Sequence, residues 1–441
     1  MGFERFQSTP RETQPTRLIW RRSPRPPAIH VPRRTTDRYL GAVLKRIGDR
    51  NILVVFGATL LLGAGYGVSI ALTSLHLDAR HFTKHDIGTL AAWFALGIVA
   101  LSLPMGALIR RFSARAVLVA SLFGYAVCVS LFPRLDSYSA IAAARCLDGA
   151  FSVGVWVSSE TILLSRGSRE HKAYVTSLYA VAVAIGYVVG PLFARWIVTV
   201  APTGTAFLAS GALSLSASAL VLATLDADVP ETHRHDTAAD GPPATAWALL
   251  WRIKTSCFGT FAYGYFQASV VLFLPLFLVE SKGVAREQTI LVPAFFAAGM
   301  LLFSNIAGRV ADRFGHLRVM RVLAVLGAAT TASFILLDRF AFMAVAVFAA
   351  GATLASISPI SLALQGVVTD PWNYSRSNAI YNAFYAAGML LGPPLSSVLF
   401  ERFGGAGMLA HLAVLWALFA GFTLVFAKDD PAATRVAPAE A

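Results

Sequence analysis

Charged residues are scarce in this chain. Asp, Glu, Lys and Arg make up only 14% of its 441 residues, whereas 56% are hydrophobic, and the mean hydropathy is +0.62. A typical soluble domain carries about 25% charged residues. The composition therefore excludes an ordinary soluble protein and indicates a chain whose surface faces lipid.

Cysteine is scarce as well, and the sequence contains no nucleotide-binding phrase. Cys128, Cys146 and Cys257 lie inside apolar runs, without the spacing of a zinc site or a partner in a loop. No glycine-rich phrase with a lysine and no set of nucleophile, base and orienting residue is visible in the sequence. We therefore expect no disulfide framework, metal or cofactor, and neither an ATP-driven pump nor an enzyme.

Long apolar runs are what the chain has instead. Twelve runs of about 20 residues, the length a helix needs to cross a hydrocarbon layer of about 30 Å, recur between residues 51 and 427. A backbone in lipid must satisfy its own hydrogen bonds, so the runs are predicted to be membrane-spanning helices. The predicted fold class is an all-α integral membrane protein with twelve spans.

An even number of spans places both termini on the same side of the membrane. The loops on that side carry about twice as many Lys and Arg as the loops on the other side, which predicts that both termini are cytoplasmic and that the protein lies in the cytoplasmic (inner) membrane. Residues 1–50 have no apolar core with a cleavage site. We expect a retained, disordered, basic and Pro-rich tail that is solvated and sets the orientation of the chain; attraction to anionic lipid headgroups and an organellar transit peptide are the alternatives.

One phrase occurs twice. "GALIRRFSARA" at 106–116 returns as "GRVADRFGHLR" at 308–318, an offset of 202, which also relates Gly97 to Gly299 and Gly149 to Gly351. The repeat predicts two pseudosymmetric six-helix bundles, 51–225 and 250–427, joined by a cytoplasmic linker at 226–249 and followed by a cytoplasmic tail at 428–441. Internal repeats of this kind are typical of secondary transporters.

These phrases resemble those of the major facilitator superfamily. Gly308, Asp312 and Arg313 match the family's loop phrase well, whereas Gly106 and Arg110 match it imperfectly, because Arg110 stands where an acid is expected. Two further matches are Arg145 with Gly149 in span four, and Gly186, Gly190 and Pro191 in span five. The basic residues and "WVSSE" at 156–160 resemble the poorly characterised YcaD-like branch. The resemblance implies alternating access, and the span-five phrase implies proton-driven export rather than uptake.

Span four carries the candidate site for proton coupling. Arg145, Asp148, Ser152 and Trp156 are three or four residues apart and so share one helical face. Asp148 lies near the membrane midplane, where a charge is costly. One interpretation is that Asp148 takes up and releases a proton while Arg145 tunes it; the alternative is a permanent ion pair. Glu160, nearer the cytoplasm, is a second titrating candidate or a side chain that reaches the interface.

A substrate site is predicted from aromatic and amide side chains on spans two, four, seven and eleven. Aromatic rings supply apolar area and amides fix orientation, which suits an amphipathic organic solute. The candidates are Trp93, Ser152, Trp156, Tyr263, Phe266, Gln267, Tyr381, Asn382 and Tyr385. Packing between helices is the alternative explanation of the same pattern.

The repeated loop phrase predicts a cytoplasmic gate. Asp312 is expected to meet the positive start of span five near Arg166 and Arg169, as the resemblance implies, whereas Arg110 is expected to pair with Asp370 or simply to add positive charge. The glycines and prolines Gly186, Gly190, Pro191, Gly388, Gly392 and Pro393 are predicted to form sliding or static helix contacts. The polar residues of the first external loop, His76, Asp78, His81, His85 and Asp86, are predicted to be solvated rather than to bind a metal.

The sequence thus predicts a monomeric secondary transporter that exports a small organic solute in exchange for protons. A proton-coupled uptake symporter and a flippase for a lipid-linked molecule are the alternatives within transport. A membrane sensor on the same scaffold is the alternative from another class. The partners expected are a small-molecule substrate and membrane lipids, and no nucleic acid.

Overall fold

A computed structural model of the protein describes residues 49–166, 172–226, 244–370 and 373–430. The predictions for the N-terminal tail before residue 49, for Arg169, for most of the linker and for the end of the C-terminal tail lie outside these residues.

Within the described part, every regular element is a helix. The long helices, numbered here in chain order, are α1 Arg50–Ala79, α2 Lys84–Phe112, α3 Ala114–Leu131, α4 Tyr138–Arg166, α5 Lys172–Val200, α6 Thr203–Thr224, α7 Lys254–Lys282, α8 Val292–Phe314, α9 His316–Ser333 and α10 Phe340–Val368. A last helical run, Tyr374–Val425, bends at Gly404, where φ is 71°, and its two arms are α11 (374–403) and α12 (405–425). Two short helices, Ala246–Arg252 and Arg286–Thr289, precede α7 and α8.

The predicted number of spans is confirmed. Ten helices of the described residues are long and apolar enough to cross a membrane, with the last run counted once. The bend at Gly404 makes that run two spans. The remaining helix, α9, has 18 residues and contains Arg321, whose guanidinium donates to the Thr423 carbonyl (2.6 Å) and hydroxyl (3.1 Å) on α12. Its charge is therefore held against a neighbouring helix rather than against acyl chains.

The turns after α2 and α8 show the repeat in the backbone. Ser113 has φ 79° and ψ 152°, and Gly315, 202 residues later, has φ 95° and ψ 136°. Each residue donates its N–H to the carbonyl four residues earlier, Ile109 or Ala311, at 2.9 Å. Only glycine adopts such a conformation without strain, so the first copy is strained and the second is not.

The repeat is also visible where α4 crosses α2. A Cβ added to Gly149 would lie 2.0 Å from the carbonyl oxygen of Phe94, and a Cβ added to Gly351 would lie 2.0 Å from that of Phe296. Both pairs are related by the offset of 202, so α10 crosses α8 in the same way that α4 crosses α2. The structure therefore confirms two pseudosymmetric bundles; α1–α6 are called the N-half here and α7–α12 the C-half.

Asp49 and Asp430, which flank the helical part of the chain, define one side of the molecule. Asp49 precedes α1 and accepts the Asn51 N–H at 2.8 Å, while Asp430 follows α12 and accepts the Leu317 N–H at 2.9 Å. The side on which these residues lie is called the terminal side, and the opposite side the distal side. The segments that link α1 to α2, α3 to α4 and α7 to α8 lie on the distal side.

Relief of strain at Ser113 predicts a change in stability. Ser113→Gly is expected to raise the thermal midpoint in detergent micelles, because it removes a backbone strain of about 1–3 kcal/mol and loses only a capping bond to the Ala116 N–H (3.3 Å). Ser137→Gly is the matched control, since it loses the same kind of bond, to the Ala140 N–H at 3.3 Å, without strain to relieve. If both variants lower the midpoint equally, the strain at Ser113 is excluded.

Candidate functional site

The ion pair of α4 lies inside the N-half. Arg145 Nη1 donates to Asp148 Oδ2, and the guanidinium also lies over the ring of Phe94, 4.4 Å from its centroid. Asp148 is only 6% exposed. Among the described residues, its second oxygen, Oδ1, is buried without a hydrogen-bond partner. A permanent structural pair is expected to satisfy both carboxylate oxygens, and this one satisfies a single oxygen.

Hydroxyl groups and tyrosine rings surround the pair. Ser152 donates to the Asp148 carbonyl at 2.6 Å, and its Oγ also contacts the Tyr66 hydroxyl. Tyr66 stacks on Tyr125 with ring centroids 4.9 Å apart, and Tyr187 meets Tyr66 edge-on at 6.1 Å. Sequence analysis did not identify these three tyrosines. The signal that was available is the helical spacing of Tyr66 with Ser69 and Thr73 along α1.

Aromatic residues of the C-half face this cluster. Tyr263 stacks on Tyr385, with ring centroids 6.1 Å apart, and the Tyr385 hydroxyl donates to Gln267 Oε1 at 3.1 Å. Tyr187 of the N-half lies within electrostatic range of Asp148 and also of Tyr263 and Tyr385. It therefore connects the ion pair to the predicted substrate residues of the other half.

The other predicted substrate residues do not all share one surface. Trp93 is 40% exposed and Asn382 is exposed, whereas Trp156 packs partly buried against a core cluster between α2 and α4. Three candidates are buried: Ser152; Tyr381, whose hydroxyl contacts Ser361 Oγ and the Ser358 carbonyl at 2.9 Å; and Phe266, which packs on Phe296 and Trp416 inside the C-half.

Glu160 lies two turns beyond Ser152 on α4, toward the terminal side. Its side chain is exposed, and the described residues provide it with no ion-pair partner. Its electrostatic neighbour is Tyr179 of α5. Within the described part of the chain, Glu160 is therefore an acid without an opposite charge beside it, on the same helix as the buried pair.

Four charged residues close the distal side. Lys84 bridges Asp78 at 2.7 Å and Glu280 at 2.5 Å, and Arg286 reaches Asp78 at 2.7 Å. Asp78 and Lys84 belong to the N-half, and Glu280 and Arg286 to the C-half, so the set, called the distal clasp here, ties the two halves together. The expectation of a solvated first loop is thus wrong for Asp78. It is also wrong for the backbone of His85, whose N–H donates to Glu401 of the C-half at 2.8 Å.

The terminal side is held differently. Among the described residues, no ion pair or hydrogen bond joins the two halves there; the pairs that exist, such as Arg166 with Asp49 (3.4 Å) and Lys254 with Asp429 (2.6 Å), stay within one half. The molecule is thus closed on the distal side, while the polar contacts on its terminal side separate into two sets.

The predicted partners of the gate residues are corrected by the structure. Asp370 accepts from Arg252 Nη1 at 2.7 Å within the C-half, so its predicted pairing with Arg110 is absent from this conformation, and Arg110 is exposed. Asp312 lies 3.5 Å from His316 and does not reach Arg166. In this conformation both acids therefore have partners within the C-half instead of the predicted partners in the N-half.

The gate glycines lie at close helix contacts. A Cβ on Gly186 or Gly190 would lie 2.6 Å or 2.4 Å from the backbone of Ala64 on α1, and a Cβ on Gly388 or Gly392 would lie 2.3 Å or 2.6 Å from the backbone of α7. Pro191 and Pro393 lie within continuous helices. By contrast, Gly308 has no atom within 4 Å of an added Cβ, Gly106 meets only the Arg110 side chain, and Arg313 is exposed.

Comparison with known proteins agrees with this architecture. The Major Facilitator Superfamily profile matches residues 54–255 and 256–441. A relative from Escherichia coli O6:K15:H31 (strain 536 / UPEC), named "Uncharacterized MFS-type transporter YcaD", is 25% identical over 362 residues, which cover 80% of this chain and 90% of the relative. The YcaD protein of Shigella flexneri matches to the same extent.

Solved transporters share the fold. The crystal structure of the nucleoside transporter NupG superposes with a TM-score of 0.67 at 16% identity, covering 86% of this chain and 98% of NupG. A bacterial homolog of the human lysosomal transporter Spinster, in an inward-facing and occupied conformation, superposes with a TM-score of 0.68 at 14% identity, covering 86% of this chain and 96% of that one. At these identities the likeness concerns the fold alone. The matched profile covers both halves, and this multi-pass membrane protein, a secondary transporter and not an enzyme, belongs to the Major Facilitator Superfamily.

Proposed function

We propose that the protein exports a small amphipathic organic solute from the cytoplasm in exchange for protons. The terminal side is then cytoplasmic, the membrane is the cytoplasmic membrane, and the proton gradient is the source of energy. The observation that carries this proposal is the buried Arg145–Asp148 pair, whose carboxylate has one unsatisfied oxygen. A buried acid with an incomplete set of hydrogen-bond partners is a candidate for a group whose charge changes during function.

The repeat supports a functional origin for the pair. The positions 202 residues after Arg145 and Asp148 are Val347 and Ala350, both almost fully buried. The same place in the same fold is therefore stable with two apolar residues, as is often found when a buried ion pair is compared with apolar residues of similar size. The fold itself does not require a charged pair in α4.

Coupling follows from the need to keep the buried carboxylate compensated. While Asp148 is ionised, it holds Arg145 beside it; a proton on Asp148 removes that attraction, and the guanidinium remains on the Phe94 ring alone. A shift of Arg145 and Asp148 is transmitted through Tyr66 to Tyr187, which faces Tyr263 and Tyr385. Protonation of Asp148 in this way changes the contacts at the solute site between the halves.

The solute site fits an uncharged or weakly basic aromatic compound. Tyr263 and Tyr385 offer stacked rings, Gln267 offers an amide, and Trp93 and Asn382 extend the accessible surface. Glu160 supplies an uncompensated acid toward the cytoplasm, where it attracts a basic group or acts as the second titrating site.

The alternating motion requires the distal clasp to open. In the conformation described here the clasp is made and the terminal side has no polar contact between described residues of the two halves, which corresponds to access from the cytoplasm. The tight α1–α5 and α7–α11 contacts at the span-five and span-eleven glycines allow each half to move as a unit.

Proton coupling at Asp148 predicts loss of driven transport without loss of fold. In proteoliposomes tested with a panel of dyes, sugars, amino acids and lysolipids, Asp148→Asn is expected to abolish flux driven by a pH gradient for whichever compound the unmodified protein moves. Asp338→Asn is the matched control, because Asp338 is an exposed distal acid that pairs only with Lys282. Flux that persists undiminished in Asp148→Asn contradicts the proposal, and binding without flux in the unmodified protein indicates a sensor.

Replacement of Arg145 alone is expected to lower the stability of the protein, and replacement of Arg145 together with Asp148 is expected to restore most of it. Arg145→Gln leaves Asp148 uncompensated and is expected to cost about 3–5 kcal/mol, measured as a fall in the thermal midpoint in detergent. The double variant Arg145→Gln with Asp148→Asn is expected to recover most of that loss, yet to remain inactive in driven transport. A double variant that recovers both stability and transport shows that the pair has only a structural role.

The distal clasp predicts a shift in conformation. Spin labels at Ser139 of the N-half and Ser281 of the C-half, both exposed at the distal side, report the opening of that side once the three native cysteines are replaced by alanine. Lys84→Gln with Arg286→Gln is expected to shift the distance distribution to longer values, because it removes both charge pairs between the halves. Lys282→Gln serves as the control, because Lys282 contacts Asp338 and the Ile335 carbonyl, both within the C-half. An unchanged distribution in the double variant shows that the clasp does not hold the distal side closed.

A further inference from the structure

A small cavity in the N-half is lined by Asp148, whose Oδ1 has no hydrogen-bond partner among the described residues. Its volume is about 10 Å³, which is about the space that the centre of one water molecule needs. Its polar lining comes from three helices of the N-half: Ser69 and Thr73 on α1, Cys128 on α3, and Arg145 and Asp148 on α4. A cavity of this size that is lined by hydroxyl groups and by a carboxylate with one unsatisfied oxygen is suited to bind one water molecule.

The distal end of the cavity is formed by two aromatic rings that also contact a histidine. Phe132 and Phe207 line the cavity, and the His76 ring lies 5.9 Å and 5.2 Å from their centroids. Among the described side chains, His76 Nε2 is a second buried polar atom without a hydrogen-bond partner. The cavity is therefore lined by the buried Asp148 and, across the two phenylalanine rings, is followed by the half-buried His76, and each of these groups has one unsatisfied atom.

The polar residues of α1 form a continuous stripe along this path. Ser69, Thr73, His76 and Arg80 are four, three and four residues apart, which places them on one face of the helix. Thr73 Oγ1 donates to the Ser69 carbonyl at 2.7 Å, so its lone pairs remain able to accept from a water. Arg80 ends the stripe at the distal surface, where it binds the Leu135 carbonyl at 2.7 Å and the exposed Asp136.

On its terminal side, Asp148 is shielded from solvent by buried residues. One turn nearer the terminal side on α4, Ser152 is fully buried and its hydroxyl contacts Tyr66, whose ring is covered by Tyr125 and Tyr187. Asp148 is therefore shielded from the cytoplasmic opening in the conformation in which the solute site is accessible from that side.

We propose that the cavity binds one water molecule and that this water, with Thr73 and His76, forms a proton route between Asp148 and the distal face through the interior of the N-half. The proposal rests on the proposed role of Asp148 as the proton carrier. A proton arriving from the distal face adds to one ring nitrogen of His76, and the other ring nitrogen releases its own proton to the water. The water passes a proton to Asp148 Oδ1, and the imidazole then returns to its first tautomer.

The proposed proton route runs through the interior of the N-half, whereas the proposed solute site lies between the halves. The other titratable or charged groups that face Asp148 are Arg145 on its own helix, Tyr66 on α1, Tyr125 and Cys128 on α3, and Tyr187 on α5; the charged group that faces His76 is Arg80. None of them is a second carboxylate. Asp148 is therefore the one acid that a proton on this route meets within that set of groups.

Cys128 makes access of water to the cavity measurable. In a background with Cys146→Ala and Cys257→Ala, the S–H stretching band of the remaining thiol reports its exchange with D₂O by infrared spectroscopy, without any transported compound. We expect rapid exchange in this background, and exchange slower by at least about ten-fold in His76→Phe, which closes the distal end with a third apolar ring. Thr73→Val, a smaller change, is expected to slow the exchange as well.

The control is His85→Phe, because His85 is an exposed distal histidine outside the stripe. Its exchange rate is expected to equal that of the background. A thiol that does not exchange in the background, or that exchanges equally fast in His76→Phe and Thr73→Val, overturns the water route.

A second measurement tests His76 as a proton relay. The C=O stretching band of protonated Asp148, assigned by its loss in Asp148→Asn, is followed after a jump to acidic pH. Its appearance is expected to be slower by at least about ten-fold in His76→Gln, which keeps the polarity of the side chain but does not exchange protons. Equal rates overturn the relay. If no band belongs to Asp148 at any pH, the proposed proton carrier fails, whereas the thiol exchange tests the water route independently.

Discussion

The Asp148 carboxylate has to be compensated inside an apolar helix bundle, and the interior of the N-half is arranged around that requirement. Arg145 supplies the opposite charge to one oxygen, and Phe94 supports the guanidinium from its other side. Ser152 and Tyr66 extend the polar region toward the centre of the molecule, and Ser69 and Thr73 extend it toward the distal side. Because a buried charge is stable only with its partners in place, a change in the protonation of Asp148 changes what all of these groups contact.

Much of the fold was predictable because it depends on residues with few alternatives. Glycines that let two backbones touch, such as Gly149 and Gly351, recur at a fixed offset, and each meets a phenylalanine carbonyl related by the same offset. The ion pair was predictable for a similar reason, since a charged residue within an apolar run has few permitted environments. Whether Asp148 titrates was left open by spacing, and the unsatisfied Oδ1 now favours the functional interpretation.

Contacts between the two halves were beyond the reach of the sequence. Asp78, Lys84, Glu280 and Arg286 come from loops and helix ends whose periodicity is interrupted, so nothing in the sequence aligns one half with the other there. Helical spacing also fails to distinguish an aromatic residue near the other half from one inside its own half. Phe266 shares the spacing of Tyr263 and Gln267 on α7, yet it packs inside the C-half. The same ambiguity concealed Tyr125 and Tyr187, which are polar only at the tip of a large apolar ring.

At two equivalent positions the two halves differ in polarity, and the large and the small residue exchange places. In the N-half the large Tyr125 on α3 stacks on Tyr66, and the Tyr66 hydroxyl contacts the small Ser152 on α4. In the C-half the equivalent residues are the small Gly327 and the large Leu354, and a Cβ on Gly327 would lie 1.9 Å from Leu354 Cδ2. The exchange of large and small residues preserves close packing while the C-half lacks the hydroxyl groups of Tyr125 and Ser152 at these two positions.

That exchange explains why the chemistry is asymmetric although the scaffold is not. Val347, Ala350 and Leu354 give the C-half an apolar core at the positions equivalent to Arg145, Asp148 and Ser152. The polar core at Arg145, Asp148 and Ser152 gives the N-half an interior whose charge can change. Under the proposed function, the proton is thus assigned to one copy of the duplicated scaffold and most of the solute surface to the other, with Tyr187 near residues of both.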